Sequence, residues 1–304
     1  MDIKLISTKN TKTTIRFMSK MFISIMGENM KNKVYITGVC GTVGLKLAKY
    51  YIDKGFYVIG VDINENEIVV VEKSIKNEKV KFIPFDAYSD EALNLMDTLK
   101  PDIVIHSAVI KNTKYNEIYR DYYHNVNVEN TKKFINKVLN SEYVKRFIFL
   151  SSDEAYNPVN FFGKDKLEVE EVIRTVNSNG KIIQAVRFPF ILESKGSVFH
   201  IFRNQAKNDL PLTVTHKDIK KIATDIKSFI DIWAEFDDKI LENGIFNFEI
   251  GREISIYELA VDIIRDMKSS SNIVISGLRE GEVLDRKIIK SNEEKIYDRI
   301  FKLN

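Results

Sequence analysis

The chain runs from KVYITG (33–38) through VCGTVG directly into LKLAKYYIDKG, which closes at Gly55. A short, almost wholly apolar strand thus meets a glycine turn, and a helix with apolar residues at helical spacing follows. A strand this apolar is buried on both faces, so it needs helices above and below it, as in a parallel sheet. The rhythm repeats. Further strands read at 57–62 (YVIGVD), 80–85 (VKFIPF), 102–107 (DIVIHS), 144–151 (VKRFIFLS) and 181–188 (KIIQAVRF). Helices read at 89–100, 116–140 and 165–176, with Ser89 as N-cap of the first and Pro101 as its stop.

This alternation predicts an α/β fold, a doubly wound parallel (Rossmann) sheet. The dinucleotide-binding part spans 33–187. After Phe188 the pattern changes to irregular stretches and isolated helices at 224–236 and 255–268. Residues 188–304 therefore read as a smaller substrate region, partly interleaved with the first. Residues 1–32 read as an N-terminal extension. Ile15, Met18, Phe22 and Met26 would share a helical face there, and MKNKVYITG opens at Met30 as a complete domain would.

The glycines of TGVCGTVG fall at 38, 41 and 44. In a strand–turn–helix setting each has a task. Gly38 permits the tight turn, Gly41 lets the backbone approach a pyrophosphate, and Gly44 lets the helix pack closely. The helix N-terminus attracts the phosphate charge. Asp62 ends the second strand, 18 positions after Gly44, where an acid bonds the adenosine ribose hydroxyls. Taken alone it reads equally well as a surface acid. No Lys or Arg stands in VDINENE to meet a 2′-phosphate, so the residues favour NAD over NADP.

Composition excludes other classes. The 304 residues carry 46 Lys and Arg against 43 Asp and Glu, a net charge of +3, with no basic block, which gives no argument for nucleic acid. The lone cysteine, Cys40, forbids an internal disulfide, and no pair of residues has metal-ligand spacing. No apolar run approaches the roughly 20 residues of a membrane span. The expectation is a cytoplasmic protein.

Five further segments lie in order: HSAVIKNT (106–113), SSDEAYNPVNFFGKDK (151–166), SKGSV (194–198), PLTVTHKDIKK (211–221) and GLREGEVLDRKII (277–289). With the glycine loop they resemble the extended short-chain dehydrogenase/reductases, in the polysaccharide-biosynthesis branch typified by UDP-N-acetylglucosamine 4,6-dehydratases. The resemblance implies a nucleotide-sugar substrate. In that chemistry a hydride leaves sugar C4 for the nicotinamide, the 4-ketone acidifies C5–H, water is lost from C6, and the hydride returns to C6.

Position by position, the resemblance makes Asp153 the acid and Ser152 its hydroxyl, with Glu154 beside them. Lys166 holds the nicotinamide ribose and supplies positive charge. Lys111 sits in the sheet-edge loop, and Asn127 supports the site from a helix. Asn157 and Asn160 match an NPxN motif, and Arg279 and Glu282 match the sugar-nucleotide loop, unless they form only a surface ion pair. The cofactor-binding set is completed by Thr42, Val43, Ile63, Asp86, Ala87, Ser107 and Ala108. The helices at 116–140 and 165–176 correspond to those that pair subunits in relatives, which implies a homodimer or larger assembly.

Several residues depart from the branch. Glu154 stands where it has a catalytic lysine, and Phe162 where it has the tyrosine four residues before Lys166. Some members carry methionine at that tyrosine position but keep the lysine. Lys221 replaces an arginine, RFPFI (187–191) replaces RYGNV, and Glu280 replaces a proline. Three readings follow: a 4,6-dehydratase, a 4-epimerase or reductase on the same scaffold, and a catalytically silent NAD-binding relative.

Overall fold

The computed structural model describes residues 32–284 and 293–304. The expectations for residues 1–31, and positions 285–289 of the last motif, lie outside the described residues. In chain order the helices are α1 (Thr42–Asp53), α2 (Glu65–Ser74), α3 (Asp90–Leu99), α4 (Thr113–Ile118), α5 (Arg120–His124), α6 (Asn130–Leu139), α7 (Phe161–Thr175), α8 (Val198–Lys207), α9 (Ile226–Lys239) and α10 (Ile256–Met267).

Two compact units are present, and neither is one continuous stretch. The first takes the chain up to Ala108, with Lys133–Ile148 and Ser178–Ile182; the second takes Val109–Lys132, Phe149–Asn177 and Ile183–Asn304.

In the first unit β1 (Lys33–Thr37), β2 (Tyr57–Val61), β3 (Val80–Ile83), β4 (Ile103–His106) and the start of β5 (Arg146–Leu150) lie in the order β3-β2-β1-β4-β5. β1 pairs in parallel with β2 and β4, and Val34 faces both Val58 and Ile103. This is the predicted doubly wound sheet. Ser89 caps α3 as expected, its hydroxyl accepting from the Ala92 amide, and α3 closes at Lys100 in the left-handed region before Pro101. The sequence reading has no helix at α2. Asn64 caps it, but only Ile68 and Val71 of α2 are buried, while Val69 and Val70 are 45% and 61% exposed. Two solvent-facing valines blur the helical period.

In the second unit the end of β5 is followed by β6 (Ile182–Arg187), β10 (Gly244–Phe248), β14 (Ile300–Leu303) and β13 (Glu293–Tyr297). β10 runs parallel to β6, and β14 antiparallel to β10. These three strands after Phe188 are absent from the sequence reading. α9 packs an aromatic block on β10, with the Phe236 ring 5.4 Å from both Phe246 and Phe248, and with Phe229 and Trp233 buried beside it. Burial of each such side chain stabilises by about 1.5–3 kcal/mol. A second core joins Phe202 and Ala206 of α8 to Ile256, Ala260 and Ile263 of α10.

The expected helix over 116–140 is broken in the structure. α4 and α5 precede a π-helical turn at Asn125–Glu129, and α6 follows it. α7 begins at Phe161, four residues before the expected start, because the Asn160 side chain caps it by accepting from the Gly163 amide at 2.8 Å. Among the described residues, no helix is long and apolar enough to cross a membrane.

Candidate active site

The cofactor-side residues gather in the first unit, after β1, β2, β3 and β4. Gly38 has φ of +65°, and a Cβ there would stand 2.7 Å from the Ala108 amide nitrogen. A Cβ at Gly44 would stand 2.5 Å from the Gly38 carbonyl oxygen. Both positions exclude any side chain, as expected for the turn and the helix packing. Gly41 differs. It has φ of −65°, caps α1 without a side chain, and an added Cβ would meet only the Gly38 oxygen at 3.2 Å. Intramolecular packing alone therefore does not demand a glycine at 41.

Asp62 ties this loop down. Its Oδ2 accepts from the Cys40 amide and its Oδ1 from the Asn64 amide, both at 2.9 Å. Each carboxylate oxygen keeps further lone-pair capacity for a ribose hydroxyl. Thr42 and Val43 open α1, and Ile63 lies exposed after Asp62. Asp86 accepts from the Tyr88 amide at 3.0 Å, and Ala87 is buried. Thr37 Oγ1 accepts from the Ser107 and Ala108 amides, both at 3.1 Å. A hydrogen bond of 2.9 Å links that hydroxyl to His106 Nδ1, and His106 Nε2 meets the Tyr88 hydroxyl at 3.1 Å. This buried chain, which the sequence reading missed, holds the loop after β4 against Gly38.

The remaining predicted residues lie in the second unit. Ser152 caps a short 3₁₀ turn, Asp153–Ala155, by accepting from the Glu154 amide at 3.2 Å, and its hydroxyl donates to Asp153 Oδ1 at 3.0 Å. The Asp153 amide donates to the Phe188 carbonyl at 3.1 Å, joining this turn to the RFPFI segment. Glu154 Oε2 accepts from the Asn160 amide group at 2.7 Å. Asn157 is exposed, with φ of +40°. Asn127, in the π turn, brackets Ile110: its Oδ1 accepts from the Ile110 amide at 3.1 Å and its Nδ2 donates to the Ile110 carbonyl at 3.0 Å. Lys111, the next residue, is exposed.

Lys166 is buried, and its Nζ donates to the Leu150 carbonyl at 2.7 Å. Burial pulls its pKa down to about 7, although Glu170 and Asp165 pull the other way. α7 is anchored by Glu170, which is fully buried and pairs through both oxygens with Arg187 on β6 and with the Ser151 hydroxyl. The Arg187 guanidinium lies 4.3 Å from the centre of the Tyr156 ring.

A cleft of about 400 Å³ is lined by Thr113, Lys114, Glu154, Asn160, Lys221 and the 279–283 turn. It brings together four predicted residues, Glu154, Asn160, Arg279 and Glu282. Gly281 shapes it: a Cβ there would lie 2.8 Å from Asn160 Cβ. Arg279 and Glu282 are joined through backbone, the Arg279 amide donating to Glu282 Oε2 at 3.2 Å. Asp153 and Lys166 do not line this cleft. Lys114 is the lining cation that sequence reasoning missed, because HSAVIKNT ends one residue short of it. Sequence spacing suggested no metal ligands, yet folding brings His124, Glu129 and Glu168 within metal-binding reach of one another. Lys132 already bridges the two carboxylates, 2.8 Å from each.

The family model for polysaccharide biosynthesis proteins matches residues 34–303. The chain belongs to that family. The branch of the extended short-chain dehydrogenase/reductases expected from the motifs is thereby borne out. Capsular polysaccharide biosynthesis protein CapD of Staphylococcus aureus is 26% identical over 92% of this chain and 49% of its own length. The chain thus spans about half of that relative. UDP-glucose 4-epimerase of Rickettsia rickettsii is 25% identical over 85% of this chain and 77% of its own. The structure of UDP-glucose 4-epimerase from Thermus thermophilus in complex with NAD shares the fold, with a TM-score of 0.71 and 15% identity over 83% of this chain and 88% of that one.

Proposed function

We propose that this family member is an NAD-dependent enzyme acting on a nucleotide-activated sugar, with 4,6-dehydration as its reaction. The observation that carries the reading is the cleft of the second unit, where segments separated by more than a hundred residues bring Glu154, Asn160, Lys221, Arg279 and Glu282 together. Lys114, Lys221 and Arg279 suit a diphosphate, and Glu154 and Asn160 offer hydrogen bonds to sugar hydroxyls.

The first unit fits NAD, because Gly38 and Gly44 leave no room for a side chain and Asp62 ends β2 as an acid. Bound there, NAD would accept the hydride from C4 and return it at C6. Asp153, steadied by the Ser152 hydroxyl, is assigned the proton transfer to the departing C6 oxygen, with Glu154 second in line for the proton at C5. Asn127 positions the loop at Ile110 and Lys111.

Incubation with NAD and UDP-N-acetylglucosamine tests this reading through the absorbance of a 4-keto product in alkali. A dehydratase accumulates that product. A 4-epimerase, the second reading, supported by the epimerase relative, yields the C4 epimer without it. If neither the native chain nor Phe162→Tyr converts any of a panel of UDP-, GDP- and CDP-sugars while NAD still binds, the enzyme reading fails.

A further inference from the structure

Lys166 is a cation in a place that supports a cation poorly. It is 6% exposed, and among the described residues its Nζ makes one hydrogen bond, to the Leu150 carbonyl. An ammonium has three N–H donors to place. Its other neighbours are ring faces, with Phe149 4.4 Å and Phe162 5.7 Å from Nζ to ring centre. The carboxylates beside it on α7 are committed elsewhere. Asp165 bonds Arg120 at 2.6 Å and His124 at 3.0 Å, and Glu170 is held by Arg187 and Ser151. The other charged groups of this region are Asp153 and Glu154 on the turn after β5, bonded to Ser152 and Asn160 respectively. Burial with a single acceptor favours the neutral amine, in line with the depressed pKa.

We propose that Lys166 is itself the proton acceptor for the sugar carbinol, in place of the phenol that Phe162 lacks. This rests on the NAD-dependent oxidation proposed above. In the neutral amine Nζ keeps a lone pair. As the C–H electron pair leaves C4 for the nicotinamide, the carbinol O–H breaks, its proton bonds to Nζ, and the carbon–oxygen bond becomes a carbonyl. The sugar is oxidised and the nicotinamide reduced by the same two electrons. The new ammonium then gains from the two ring faces, which attract a cation and offer an amine little. A phenol in the place of Phe162 would need Lys166 charged at rest. With Phe162, the lysine must begin uncharged.

The state of the amine can be read without substrate. The full chain, carrying ¹³C at the lysine Cε positions, is titrated by NMR. One resonance should shift with a midpoint near pH 7, and that resonance should be missing from Lys166→Arg. If every lysine resonance titrates above about pH 9, near the ordinary lysine range, the proposal is overturned whatever the sugar proves to be. Stability supplies a second readout. Lys166 binds its proton less tightly folded than unfolded, so the folded state is penalised below about pH 7, and the penalty fades as pH rises toward 10.5. The melting temperature of the native chain, measured against Lys166→Met, should therefore climb across that window; a flat difference counts against the idea.

With a converted sugar in hand, kcat should rise with pH through about 7, and Lys166→Arg, a permanent cation, should lower kcat by about 100-fold or more. Adding Phe162→Tyr to Lys166→Arg should recover at least about tenfold, because a phenol beside a fixed cation is a base again. Retention of kcat in Lys166→Arg would overturn the assignment. A midpoint near 7 in a chain that converts no sugar would sink the enzymatic reading and leave the amine's titration standing.

Discussion

The cofactor end and the sugar end of this protein are held by different means. In the first unit the shape comes from the backbone and from missing Cβ atoms. Gly38 and Gly44 have no room for a side chain, and Asp62 and Thr37 pin the loops by accepting from main-chain amides. In the second unit the shape comes from side chains holding other side chains: Glu170 on Arg187, Asn160 on Glu154, Asp165 on Arg120. A backbone-built site tolerates change at few positions but leaves neighbouring side chains free to vary. A side-chain network can exchange one partner and survive with altered chemistry, and the departures at 154, 162 and 221 fall in this unit.

Changes at the sugar end should have the largest effects. Asp153→Asn should lower turnover by about 100- to 10,000-fold while leaving the dissociation constant for NAD within about twofold of native. Equal loss of both would place Asp153 in the fold instead of the chemistry. Next, Glu170→Gln leaves the buried Arg187 without its counter-charge, and removing one partner of such a pair costs about 3–5 kcal/mol. Urea unfolding should show that loss, and a change below about 1 kcal/mol would mean that the pair is hydrated.

Smaller effects belong to the glycine loop and separate its three positions. Gly44→Ala should destabilise by about 1–3 kcal/mol through overpacking. Gly41→Ala should leave the melting temperature almost unchanged and weaken NAD binding, because the space above it is filled by nothing of the chain's own. If Gly41→Ala destabilises as much as Gly44→Ala, the contrast between the two ends is lost. Smallest is Asp62→Ala. It should cost about 1 kcal/mol of stability through the lost bond to the Cys40 amide and erase most of the preference for NAD over NADP. If the native chain binds both cofactors equally, Asp62 has only its structural role.

The sheet was legible because its strands are short and apolar and its loops are marked by glycine, a signal local to a few residues. The helix α2 was not, because Val69 and Val70 face solvent and break the period. The early start of α7 was hidden by Asn160, which served as a motif residue and an N-cap at once. β13 and β14 carry little apolar signal and gain their place by pairing with each other and with β10.

At the site, the motifs picked out Glu154, Asn160, Arg279 and Glu282, and the structure lines one cleft with all four. The network of Tyr88, His106 and Thr37 escaped notice, since its members lie 18 and 69 positions apart and only parallel pairing of β1 with β4 brings them together.

By itself the sequence determined the class of sheet, the glycine turn and the residue types at each candidate position. Those depend on local propensity and on which side chains are missing. Only the tertiary structure decided the state of Lys166. Its charge depends on how much water remains around Nζ and on whether Asp165 and Glu170 are available to it. Both depend on Arg120, His124, Ser151 and Arg187, which only folding brings to this helix.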